Sequence, residues 1–134
     1  MARPDPDRFA VCIGDPAGAE ALIARAIERF DVADIDLRII HAGEMETAAV
    51  VRELDFLPVL SQKRVVVFRN AGAVSKADWE PLLAYLDNPF PHAYLVIVGD
   101  DTKVSLRKYA PRAPEPQWTP ERELFSAMYR MHRA

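Results

Sequence analysis

Cysteine occurs once, at Cys12. A single thiol excludes a disulfide within the chain and any metal site built on clustered cysteines. Cys12 sits in an apolar run, where a small buried hydrophobe is its expected role. Only three histidines are present, His41, His92 and His132, and they share no spacing with Cys12 or with a serine elbow. No nucleophile motif follows from them. Apolar runs are short, and none approaches the roughly 20 residues that span a bilayer. The first residues, Met1 to Arg8, carry Asp5, Asp7 and two prolines, which is unlike a signal peptide. These absences point to a cytoplasmic protein without a membrane role. There is also no internal repeat and no low-complexity tract.

What is present fits one domain with a real core. The chain has 134 residues, half of them apolar and 28% charged. Its net charge of −3 hides an asymmetry: residues 1–102 hold 10 basic and 17 acidic side chains, residues 103–134 hold 7 and 3. An acidic body argues against general nucleic-acid binding, which needs clustered Lys and Arg. The basic tail is the one place where DNA or an acidic partner fits, and docking on its own acidic body is the alternative.

Strand and helix patterns alternate four times. Phe9–Ile13 reads as a strand that ends at Gly14-Asp15-Pro16. Helical spacing runs from Ala19 to Phe30, with Leu22, Ile23, Ala26, Ile27 and Phe30 on one face. A second strand is predicted over Ile35–Ile40 and a second helix over Met45–Leu54. Arg64–Phe68 is the third strand; its unbroken apolar residues suit a sheet covered on both faces. Ser75 is the predicted cap of the next helix, with Asp78 three residues on and Trp79, Leu82, Leu83 and Leu86 as the apolar stripe. Tyr94–Val98 is the fourth strand. This alternation predicts right-handed βαβ units and an α/β three-layer fold, a mostly parallel sheet with helices on both faces. After Gly99 the pattern breaks. The domain is expected over residues 1–103, a proline-rich linker over 104–118, and a C-terminal amphipathic helix over 119–134, capped by Thr119 with Pro120 at its first position. Leu124, Phe125, Met128 and Tyr129 give that helix one apolar side. It either packs on the sheet or serves as a device for homo-oligomers.

The loop after the first strand lies where a phosphate-binding loop, G-x-x-x-x-G-K-[ST], lies in nucleotide-binding folds. Gly14 keeps its place. The second glycine is Ala19, the lysine is Glu20 and the hydroxyl is Ala21. A carboxylate at the lysine position repels phosphate. The third strand, which ends with an acid in nucleotide hydrolases, ends here with Arg69-Asn70. Both readings of this loop, a degenerate nucleotide site or a simple turn, predict no ATP hydrolysis and no cofactor. An enzyme reading is left with Asp15, Asp100 and Asp101 at the carboxyl edge of the sheet, where α/β sites form.

One segment is unusual. In Leu57-Pro58-Val59-Leu60-Ser61-Gln62-Lys63-Arg64, apolar residues stand where a turn is normally polar. Such a pair either plugs the core between the second helix and third strand or waits for a partner.

With these residues laid out, the chain resembles the N-terminal domain of the delta subunit of the bacterial DNA polymerase III clamp loader. The resemblance rests on Gly14-Asp15, on Ala42-Gly43-Glu44, on Leu57 to Val67, and on Tyr85-Leu86-Asp87-Asn88-Pro89 followed by Tyr94 to Val98; it covers roughly residues 9–103. It implies a P-loop-NTPase-like, AAA+-like fold whose nucleotide site is lost, and a non-catalytic role in DNA replication. The implied partners are the sliding clamp and other clamp-loader subunits. In that family the apolar pair enters a pocket of the ring-shaped clamp, and the matching residues here are Val59 and Leu60. Leu57 supports them, and Lys63 and Arg64 are expected at the polar rim. Leu-Phe or Phe-Phe is frequent at the pair, so Val-Leu is a smaller anchor, weaker by about 1–2 kcal/mol from lost area. The helical lid and collar of a full delta subunit have no counterpart in these residues, so the chain is either a piece of a longer protein or a stand-alone relative, with a scaffolding role for the C-terminal helix as the alternative.

Overall fold

The computed structural model describes residues 4–110. The elements are β1 (Phe9–Ile13), α1 (Pro16–Arg29), β2 (Leu37–His41), α2 (Thr47–Asp55), β3 (Arg64–Arg69), α3 (Glu80–Asp87) and β4 (Ala93–Gly99). Short 3-10 turns occupy Asp34–Asp36, Ala71–Ala73 and Ala77–Trp79. All strand pairs are parallel, and the order across the sheet is β1-β4-β3-β2.

That order explains the layers. The β1-to-β2 connection crosses the sheet in one direction, and the next two connections step back in the other. Right-handed crossovers of opposite direction put their helices on opposite faces. Accordingly, α1 covers one face, with Ala19, Ile23, Ala26 and Phe30 on Val65, Val67, Tyr94, Val96 and Val98. Helices α2 and α3 cover the other, with Val50, Leu54, Leu82 and Leu86 on Val66, Phe68, Leu95 and Ile97. Central strands β3 and β4 are buried on both sides, which is why Val65–Phe68 and Ala93–Val98 carry no polar interruption. The three-layer α/β architecture expected from the alternation is the one observed.

Several boundaries move for identifiable reasons. Helix α1 begins at Pro16 rather than Ala19, because proline lacks the N–H that a first helical position leaves unpaired. Strand β2 begins at Leu37, since Asp34–Asp36 turn into a 3-10 helix that carries the Asp36 side chain inward. Ser75 does accept the Asp78 N–H, at 3.3 Å, but a 3-10 turn precedes α3. Cys12 is partly buried in β1 with its thiol on the Asp15 carbonyl, and burial pushes that thiol up. Residues 104–110, placed in the linker by composition, pack on the core. Leu106 and Tyr109 are buried, and the Tyr109 ring meets Phe9 edge-on at 6.1 Å. The rest of the expected linker, the expected C-terminal helix and most of the basic tail lie outside the described residues. Among the described residues no helix is long and apolar enough to cross a membrane.

Candidate functional site

Two places carry the residues singled out by the sequence: the carboxyl edge of the sheet, and the loop between α2 and β3.

At the carboxyl edge, a cleft of about 670 Å³ is lined by Asp15, Ala19, Glu20, His41, Arg69, Asp100 and Asp101, among others. Its entry turn is built on Gly14, whose φ of +80° disfavours a side chain and whose N–H donates to the Gly99 carbonyl at 2.8 Å. Asp15 is the N-cap of α1, its carboxylate accepting the Gly18 N–H at 3.0 Å. One donor at the helix N-terminus, where a phosphate would otherwise bind, therefore already holds an internal anion. Ala19 is buried at the back of the loop, and Ala21 faces solvent outside the cleft.

Glu20 and Arg69, the two residues whose charge departs from the nucleotide-binding pattern, meet each other. The Arg69 guanidinium donates to Glu20 through two nitrogens, at 2.7 and 3.3 Å. The hydrogen bond from Arg69 lowers the Glu20 carboxyl pKa, and the same bond raises that of the guanidinium. The pair thus links the first turns of α1 to the end of β3 across the cleft. Four carboxylates line this cleft with one guanidinium, a balance that repels nucleotide phosphates. Asp100 and Asp101 are exposed on its rim. Among the described residues, no group of three or more His, Cys, Asp or Glu side chains is placed to hold a metal ion.

At the opposite end of the sheet, the loop from Phe56 to Lys63 projects Leu57, Val59 and Leu60 into solvent, at 71%, 67% and 75% exposure. Packing of the pair in the core is therefore not their role here. Phe56 is exposed beside them.

The loop is nonetheless held firmly. Its start is tied to α2, whose last carbonyls are capped from outside: Arg64 Nε donates to the Glu53 carbonyl at 2.6 Å, and His92 Nε2 reaches those of Leu54 and Asp55 at 3.1 and 3.2 Å. Arg64 also pairs with the Glu53 carboxylate at 2.7 Å, with only 11% of its side chain exposed. It lies over the Phe56 ring, 5.5 Å from the centroid. Lys63 donates to the Asp7 carbonyl and lies over Phe30. Both cations, expected at a rim facing a partner, are thus directed into the chain.

The middle of the loop rests on Asp36, a residue the sequence did not single out. Its buried carboxylate accepts the backbone N–H groups of Val59, Leu60 and Ser61 at 2.6, 2.8 and 2.7 Å. Ser61 Oγ in turn accepts the Ala33 N–H at 2.8 Å. Burial pushes the Asp36 pKa up, but these donors outweigh it and hold the group at about 2. No local motif marks Asp36, because its partners lie 23 to 25 residues away.

No protein-family model and no curated protein matches this chain. Solved structures do. The Bacillus subtilis DNA clamp loader delta protein is similar at a TM-score of 0.57 over 89% of this chain and 35% of its own, with 13% identity. A DNA polymerase III gamma subunit-related protein of Thermotoga maritima is similar at 0.55, over 69% of this chain and 34% of its own, with 16% identity. The chain thus spans about a third of the length of either neighbour. At such identities the likeness speaks for architecture alone, an α/β domain shared with these two proteins.

Proposed function

We propose that this chain is a non-catalytic, clamp-loader-like interaction module of DNA replication, working in the cytoplasm, and that it docks on a sliding clamp through Val59 and Leu60. Leu57 and Phe56 flank the pair and add apolar area. The observation that carries this reading is the pair itself, two aliphatic side chains held out in solvent on a loop whose backbone is fixed from beneath. Exposed apolar residues on an anchored loop suit insertion into a pocket, where a few central contacts supply most of the affinity. Arg64 acts in this scheme as the tie at the loop's base. Contacts to other clamp-loader subunits belong to the same proposal. DNA contact falls to the basic tail in the same proposal, and homo-oligomer contacts to residues 119–134.

The test is calorimetric titration against a bacterial sliding clamp, wild type beside the Val59→Ala/Leu60→Ala double variant, with thermal melts of both. Loss of binding with an unchanged melting temperature is the expected result. A wild type that is folded and does not bind, or a double variant that binds equally well, overturns the proposal.

A further inference from the structure

We infer that Asp36 is the positioning residue of the docking loop: by fixing the backbone of Val59, Leu60 and Ser61 it presents the apolar pair in its binding conformation before a partner arrives. This rests on the proposed docking role of Val59 and Leu60.

Three successive N–H groups turned to one side make a concave anion site in the backbone. Water has access to this loop, since Val59 and Leu60 are exposed and Ser61 is half-buried. Yet the three N–H groups donate to a carboxylate fully removed from solvent, from the turn before β2. Burying a carboxylate is costly unless its lone pairs are used, and here both oxygens are, Oδ1 by Val59 and Oδ2 by Leu60 and Ser61. The arrangement does not serve core packing of the pair, because Val59 and Leu60 contribute no buried surface to either core cluster. What it does fix is the direction in which they leave the surface. Ser61 completes the brace by accepting the Ala33 N–H, so segments 33–36 and 59–61 are joined at two points. A loop already ordered avoids the entropy of ordering on association.

The inference is tested by amide hydrogen exchange of the free protein, resolved by residue, together with the clamp titration. Wild-type amides of Val59, Leu60 and Ser61 are expected to exchange on the order of a hundredfold more slowly than open loop amides. In Asp36→Asn that protection drops at these three positions while the sheet amides keep theirs, and affinity for the clamp falls by about tenfold although the apolar pair is intact. Fast exchange at 59–61 in the wild type overturns the inference, and this measurement needs no variant, so an Asp36→Asn that fails to fold does not remove the test. Loosened amides with unchanged clamp affinity overturn it as well. A wild type that binds no clamp but shows the protected amides, lost in Asp36→Asn, refutes the clamp and leaves Asp36 as the residue that sets the loop.

Discussion

A buried carboxylate that accepts three amide hydrogen bonds makes the stability of this protein sensitive to acid. The Asp36 pKa is about 2 in the folded chain against an ordinary 3.8. The ionised group therefore contributes stability that is fully present above its unfolded value and is lost as pH falls through the folded one. The melting temperature is expected to drop between about pH 4 and pH 2 more steeply in the wild type than in Asp36→Asn, which thermal melts across that range will read. A wild type and variant with parallel acid profiles would show that the three hydrogen bonds carry no such linkage. Residue identity was only partly legible here. Val59 and Leu60 stand out in sequence because an apolar pair is chemically odd in a turn. Glu20 and Arg69 stand out as departures from a motif. That the latter two form a pair, and that Asp36 supports the former two, depends on chain segments far apart in sequence, and neither relation leaves a local pattern.

Among the elements, α2 and the strand that follows it are joined by Arg64. The family resemblance implies a rim position for this arginine. The structure turns it back on the helix it follows, where its guanidinium serves the Glu53 carbonyl and carboxylate. The two roles predict different behaviour. A rim charge changes the association rate and its salt dependence. An anchoring charge changes stability: Arg64→Ala should cost about 1.5–3 kcal/mol in chemical denaturation, because it removes hydrogen bonds to a charged partner and uncovers the end of α2. An unchanged denaturation midpoint with a slower, salt-insensitive association would restore the rim role. The strands were legible to within a residue or two, because continuous apolar runs flanked by turn residues leave little choice. Helix starts were less so. Pro16 reads as a turn former next to Gly14 and Asp15, yet Asp15 as cap and Pro16 at the first position are also how a helix begins.

At the scale of the whole molecule, charge and packing set what each end of the sheet can do. The cleft at the carboxyl edge brings Asp15, Glu20, Asp100 and Asp101 around a guanidinium already engaged by Glu20. ATP with magnesium is expected to produce no heat of binding and no shift in melting temperature; a clear saturable titration would revive the enzyme reading. The extent of the folded unit is the other global question. Composition puts its end near residue 103, since the βα alternation stops and prolines follow. Burial carries it further. Tyr109 is closed off from solvent, sits edge-on to Phe9 of the sheet's outer strand, and donates its hydroxyl to the Asp87 carboxylate at 2.8 Å. Burial and the neighbouring Asp87 push its phenol up to about 12, so the hydroxyl keeps its proton, and the bond its donor, throughout the neutral range. Leu106 is buried on the same face. The segment thus straps α3 to β1, an edge strand of the sheet. Tyr109→Ala should cost about 3–5 kcal/mol by removing a buried aromatic, and Tyr109→Phe only about 0.5–1.5 by removing one hydrogen bond. A version ending at residue 103 should lose at least as much as Tyr109→Ala in denaturation, while one ending at residue 110 keeps the strap. Equal stability of the two shortened chains would return the boundary to 103 and make the strap incidental.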